Sequence, residues 1–434
     1  MNALQALEAL LHGPFGDFPV GGLNFGAVLV LAWQIVVFGG LALGIRTLVR
    51  RRIRISIPHA QAVGRAVRRP LGDVRVLLAV AVVLPLAEML TGGYYLTVTY
   101  NVELYVLLAI GLNIVVGYTG LLDLGYVAFF AVGAYVYGIF ASPQLGQTAH
   151  ATFHFLVPAS QGPGVHISML VMLPVAGFAA ALFGVLIGIP TLRLRGDYLA
   201  IVTLGFGEIT RIFAQNLDSP VNITNGPNGV TRIDDMFIGG YSFGDITNHI
   251  GPVSIPPFLN YYYLVLLLIV VTVFVVARLA TSRVGRAWTA IREDEVAAEV
   301  AGIHTRNLKL LAYASGGFFG GMAGAVFAAG SHVIAPESFQ LFLSILVLCM
   351  VVVGGMGSIE GAALGAVAIG LPYFLSSQLQ SLRVLIFGVI LVLMIALRPQ
   401  GLLPSRQRQR ELSETVDDGT GAPHVEAVAD LQQV

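Results

Sequence analysis

The chain is predicted to be an all-α polytopic membrane protein with about 9–11 transmembrane helices, and three observations lead there. Of its 434 residues, 56% are hydrophobic and only 11% charged, with a mean hydropathy of +0.81; soluble domains carry about 25% charged residues. Apolar stretches recur at roughly 23–45, 74–90, 101–118, 121–140, 168–190, 198–216, 260–278, 310–330, 341–356, 359–377 and 383–397. A full span takes about 20 residues, so the shorter and glycine-broken stretches set the range of the count. The third observation is the 51 glycines, since small residues let helices approach closely in lipid. Hydrocarbon offers the backbone no hydrogen-bond partners, so serial spans are helices. The short alternating strands of a barrel are missing from the pattern.

Charge sets the orientation. With eleven spans in series, all of the 24 Lys and Arg except Arg211, Arg232 and Arg383 fall on one side. The positive-inside rule makes that side the cytoplasm, with the N-terminus outside and the C-terminus inside. The first twenty residues hold no Lys or Arg, so no secretory signal peptide is expected. Zero net charge gives no reason to expect a nucleic-acid partner. The single Cys349 excludes an internal disulfide and any cysteine-rich metal site.

Residues 1–73 read as an N-terminal extension with one span and a cytoplasmic linker. The linker's Arg cluster is expected to meet anionic lipid. Residues 74–398 read as the membrane core and 399–434 as a disordered cytoplasmic tail, Arg-rich and then acidic. A polar turn is expected at Thr91–Asn101. Beyond it, Asn113 and Asp123 stand in an apolar stretch interrupted by Gly117, Gly120 and Gly125. Two readings stay open there. Asp123 caps a helix and Asn113 joins two spans, or the broken region lines a transport path. Residues 141–167, with His150, His154 and His166, read as a solvated outer loop rather than a metal site. Asp197 is a candidate cap for the next helix. Glu208 and Arg211, at i and i+3, are expected to pair on one helix face rather than to relay protons. Residues 217–259, with Asn-Gly and Gly-Pro turns, form the longest outer loop.

Arg278–Leu310 is the long polar interruption of the second half. Apolar residues at helical spacing among its charges predict one amphipathic, water-facing helical segment. Arg286, Arg292, Glu293, Asp294, Glu295 and Glu299 are expected as exposed charges, with Trp288, Ile291 and Val296 as apolar anchors for a partner's cleft. Next, Gly316, Gly320 and Gly324 repeat at i, i+4 and i+8 and predict a close helix crossing. Gly354, Gly355, Gly357 and Gly361 around Ser358 and Glu360 predict a break between two helices. No phosphate-binding loop GxxxxGK(S/T) or HExxH occurs. Catalytic and metal residues are therefore not expected, and ATP-driven work would require an ATPase on another chain.

Five stretches carry a family resemblance: LNIVVGYTGLLDLGYVAFFAVGAY at 112–135, RLRGDYLAIVTLGFGEI at 193–209, NGPNG at 225–229, SRVGRAWTAIREDEVAAEVAGI at 282–303 and GGMGSIEGAALGA at 354–366. With them the chain resembles the larger, LivM-type permease subunit of bacterial branched-chain amino acid ABC importers over about 75–397. The resemblance implies an inner-membrane permease completed by a second, shorter permease. It also implies two cytoplasmic ATPases that hold ATP and Mg, and a periplasmic binding protein that delivers leucine, isoleucine or valine. The family's coupling motif maps onto Arg286, Arg292, Glu293, Asp294, Glu299 and Gly302, with a docking role and no chemistry. Candidate pathway or helix-break residues are Asn113, Asp123, Glu208, Gly354, Gly355 and Gly357. Permeases for urea and short amides share these motifs. A secondary transporter using Asp123 or Glu208 as ion site, and a non-transporting scaffold, are the readings from other classes.

Overall fold

The computed structural model describes residues 94–375 apart from 150–151, 158–163, 195, 239–240, 245–248, 251–252 and 255, together with 388–389, 392 and 401–403. The expected spans 23–45 and 74–90, the Arg-rich linker and His150 lie outside the described residues. So do nearly all of 383–397 and of the tail.

Eleven described helices follow in order: α1 Tyr94–Asn113, α2 Val127–Phe140, α3 Gln144–Ala149, α4 Met169–Thr191, α5 Asp197–Asn216, α6 Pro257–Ala280, α7 Arg283–Glu293, α8 Glu295–Val300, α9 Thr305–Ser331, α10 Leu341–Gly354 and α11 Ile359–Leu375. Among the described residues, five helical segments are long and apolar enough to cross a membrane: α1 with its extension to Tyr118, α4, α6, α9, and α10 with the turn before it. The apolar part of α11 is shorter, as is α2. α5 has membrane length but carries Asp197, Glu208 and Arg211.

The bundle is built for lipid. The most apolar helices, α4 and α6, are the least covered by protein, whereas the more polar α1 is covered on nearly every side. α1 packs against α6, α9, α10 and α11, and α9 packs against α2 and α4. Tyr100 donates to Val326 O at 3.1 Å and Tyr126 to Gly316 O at 3.0 Å. Each buried phenol thus finds in a helix carbonyl the hydrogen-bond partner that hydrocarbon would not offer it.

Glycine makes these crossings close. A Cβ on Gly316 would lie 2.7 Å from Val115 Cγ2, and one on Gly320 would lie 3.3 Å from Phe129 Cβ. A Cβ on Gly324 would strike the Phe130 carbonyl and lie 2.7 Å from Ala134 N. The three therefore face α1 and α2, as a small-residue stripe should, while Gly317 and Gly321 face Ala176 and Ala180 of α4. Backbone cannot move aside as a side chain can. Gly324→Val is accordingly expected to cost about 3 kcal/mol, the upper end for overpacking, and Gly320→Ala much less; thermal unfolding in detergent reads the difference.

Two expected boundaries change. α1 is already helical at Tyr94, inside the predicted polar turn, and its last turn widens to a π-turn at Ile114–Tyr118. The predicted span 121–140 is helical only from Val127, leaving 119–126 as irregular backbone.

The end of the bundle remote from α7 and α8 carries short strands. Val165–Ile167 pairs antiparallel with Ala141–Ser142 and parallel with Phe153–Phe155, and Val230–Thr231 pairs antiparallel with Val333–Ile334. The 141–167 stretch is thus not simply a solvated loop. His166 is buried, with Nδ1 2.6 Å from Asp234 Oδ2, and its ring stacks on His154. Burial pushes the Asp234 carboxyl up, and the His166 hydrogen bond opposes that shift.

Candidate coupling site

The polar segment is two short helices rather than one. Ser282 caps α7, its Oγ accepting from Val284 N and Gly285 N at 3.1 and 3.3 Å. Asp294 adopts an extended backbone that ends α7, and its Oδ1 accepts from Val296 N at 2.8 Å and Ala297 N at 3.0 Å to start α8. A side-chain oxygen at that position replaces the helix's missing acceptors. Gly302, at φ +83°, ends α8. Ile303 N donates to Ala298 O and Gly302 N to Glu299 O, both at 3.0 Å. That crossed pair needs a left-handed residue, which glycine supplies without strain.

The pair of helices is anchored to the bundle from below. Trp288 is fully buried and its Nε1 donates to Leu308 O at 2.8 Å. Lys309, itself buried on α9, pairs with Glu295 at 2.6 Å. Two predicted partner anchors are thereby corrected: Trp288 and Ile291 are buried in this chain's own core. Helical spacing tells that such residues share a face, and here α9 and the bundle cover it. Val296 stays 58% exposed and Val300 85%. Arg286, Glu293, Asp294 and Glu299 are exposed around them, and Glu295 is half-buried.

Arg292 departs from the expectation of an exposed charge. It is half-buried and points into the bundle, where Nη1 donates to Gly117 O at 2.6 Å. Its side chain lies in a slot between two glycines. A Cβ on Gly120 would lie 3.0 Å from Arg292 Cγ, and one on Gly357 would lie 2.9 Å from Arg292 Nη1. Gly357 belongs to the expected break, where α10 ends at Gly354, Gly355 and Gly357 have positive φ, and α11 restarts at Ile359. Ser358 Oγ accepts from Gly361 N at 3.0 Å at that restart. Asn113 closes the arrangement, its Oδ1 accepting from Gly357 N at 2.9 Å. One guanidinium thus bonds the π-turn of α1 and sits against the 355–358 turn. A single amide ties those two breaks to each other.

The third irregular stretch, 119–126, is held from two sides. Leu124 N donates to Thr203 Oγ1 of α5 at 3.1 Å, and Val127 N to Ser344 Oγ of α10 at 2.9 Å. Asp123 is buried, but it does not cap α2; its Oδ1 accepts from Gly125 N at 2.8 Å and folds its own turn. Nor does Asp197 cap α5. Gly196 precedes the helix, and Asp197 lies in the first turn, where a carboxylate complements the helix dipole. Glu208 and Arg211 do pair, Nε to Oε2 at 2.9 Å. Sequence reasoning passed over Thr203, Ser344 and Glu103, a fully buried carboxylate of α1. The only signal each gives is a single polar letter inside an apolar run.

The site offers mechanics rather than bond chemistry. It has an exposed, partly apolar surface on α7–α8, a rigid base under it, and one side chain running from it to the ends of three membrane segments. Among the described residues no group of three or more His, Cys, Asp and Glu is placed to hold a metal.

Comparisons with known proteins agree with this architecture. The family described as "Branched-chain amino acid transport system / permease component" matches residues 94–395. The chain is 38% identical to the high-affinity branched-chain amino acid transport system permease protein LivM of Escherichia coli K12, over 74% of this chain and 72% of that protein. It is 36% identical to LivM of Salmonella typhimurium, over 88% of each. LivH of Salmonella typhimurium, a second kind of permease, matches at 25% identity over 69% of this chain and 91% of that protein. No solved structure matches the chain.

Proposed function

We propose, from the premise that this chain belongs to the family of branched-chain amino acid transport system permease components, that it is the larger permease of an ATP-driven importer of leucine, isoleucine and valine. In this reading the energy comes from other chains, since the sequence holds no phosphate-binding loop. Two ATPase subunits holding ATP and Mg supply it from the cytoplasm, and a periplasmic binding protein delivers the solute. A second, LivH-type permease completes the path. The N-terminus lies outside and the C-terminus in the cytoplasm of the inner membrane. That orientation puts α7, α8 and the Arg-rich stretches on the ATPase side.

The observation that carries this reading is the bond from Arg292 to Gly117 O. A loop that served only as a solvated connection would have no reason to send its cation into the bundle. Here a displacement of α7 by a docked ATPase moves the π-turn of α1 directly and, through Asn113, the α10–α11 turn. These are the ends of helices, where backbone can rearrange at least cost.

Reconstitution tests the proposal. Proteoliposomes with both permeases, the ATPases inside and the binding protein outside are expected to accumulate leucine on ATP and not on an imposed ion gradient. This chain alone should accumulate nothing. Gradient-driven uptake by the chain alone would establish a secondary transporter instead, and uptake of urea but not leucine would move the substrate to the amide class.

A further inference from the structure

Three helices leave an apolar face uncovered by the other described residues. α4 exposes Phe178, Leu182 and Leu186; α6 exposes Leu267, Val271 and Phe274; α5 exposes Ile201, Ile209 and Ile212. The first two faces hold nothing that lipid would reject. The α5 face differs, because Glu208 and Arg211 stand on it with 31% and 24% of their side chains exposed. They are the twelfth and fifteenth of 20 helical residues. At about 1.5 Å per residue they lie about 17–21 Å along a helix about 30 Å long, so a helix of that length set across the bilayer carries them into the hydrocarbon. A charged pair at that depth is not left against acyl chains; it faces protein or water.

We infer that the uncovered face of α5 is the seam against the second permease, with the Glu208–Arg211 pair enclosed in it. The shape fits a helix–helix contact. Gly205 lies on this face between Ile201 and Glu208, and a Cβ built there meets nothing within 4 Å among the described residues, so this glycine answers no packing need among them. Gly133 and Gly324, by contrast, are each pressed against backbone of this same chain. A small residue flanked by Ile ridges is how membrane helices admit a neighbour. The charged pair excludes lipid as the occupant, and the exposed Ile201, Ile209, Ile212 and Phe213 around it are too apolar for a face left to water, which leaves a helix of the second permease. LivH relatives that match this chain over 91% of their length show that a partner permease shares its sequence pattern. The buried side of the same helix holds the 119–126 stretch through Thr203. The seam therefore stands one helix away from irregular backbone, the place where a path between two permeases would be expected to open.

The inference rests on the two-permease reading but not on coupling to ATPases, so its test omits them. Gly205→Trp is made in this chain, co-expressed with the second permease alone, with Leu267→Trp on the α6 face as the control. The Gly205→Trp chain by itself should insert and unfold at the native temperature, because the added ring has room. Recovery of the second permease with it should fall about tenfold or more, as when a bulky side chain fills a close helix crossing, while Leu267→Trp recovers it normally. Normal recovery with Gly205→Trp would overturn the seam. So would a lowered unfolding temperature of the chain alone, since that would mean the face is covered by this chain itself. If the native chain recovers no second permease at all, the two-permease reading falls with the seam; recovery by the native chain that survives Gly205→Trp sinks the seam alone.

Discussion

Arg292→Ala is expected to leave the importer assembled and hydrolysing ATP while uptake falls by about 10- to 100-fold. The magnitude is that of a hydrogen bond to a charged group, about 1.5–3 kcal/mol, with tenfold in rate for each ~1.4 kcal/mol. The side chain bonds Gly117 O and lies in the slot between Gly120 and Gly357, so alanine removes the link between α7 and the helix ends. It leaves the Trp288 and Lys309 anchors of the segment in place. Lysine is expected to rescue only in part, since it restores the charge but not the planar fork. Hydrolysis without movement of solute, measured in the same vesicles, distinguishes a broken link from a lost subunit. Parallel loss of both activities would place Arg292 in docking instead.

Val296→Asp with Val300→Asp has the opposite signature. Both side chains are largely exposed, so the permease folds and inserts normally. If they fill a cleft in the ATPase, two unpaired carboxylates there weaken association by about 100-fold, as expected for buried contacts near an interface centre. Retention of the ATPases on an affinity-tagged permease reads that loss. Asp294 is a poor choice for the same purpose, because its carboxylate starts α8 and a lysine there removes the cap as well as the charge. Glu299→Lys reverses an exposed charge beside Val300 and does not disturb a cap.

The sequence made some of this arrangement plain and hid the rest for identifiable reasons. α4, α5, α6 and α9 lie within a few residues of their apolar stretches because lipid selects for continuous hydrophobicity, which is a local property. The glycine break before α11 was legible for a similar reason, since residues at positive φ cluster where backbone must turn. The split at Asp294 was not, because helical periodicity runs across it and only the cap geometry interrupts the chain. The burial of Trp288 and the inward course of Arg292 depend on residues far away, Leu308 in one case and Gly117, Gly120 and Gly357 in the other. Spacing identifies a face but not what covers it. Gly117, Gly120 and Gly125 mark a break near 119–126, but its polar support, Thr203 and Ser344, comes from two other helices and cannot be read from the stretch itself.

Chemical cross-linking from the tip of α8 shows whether that helix meets the ATPase. A Val300→Cys permease, with Cys349 replaced by alanine, is assembled with all its partners and treated with a short bifunctional maleimide that reaches engineered cysteines on the ATPase surface. A permease–ATPase adduct is expected, with a yield that changes between ATP-bound and nucleotide-free states. A complex that imports leucine on ATP yet gives no such adduct from Val300, with ATPase cysteines placed across its whole membrane-facing surface, would contradict docking of the ATPase on α8.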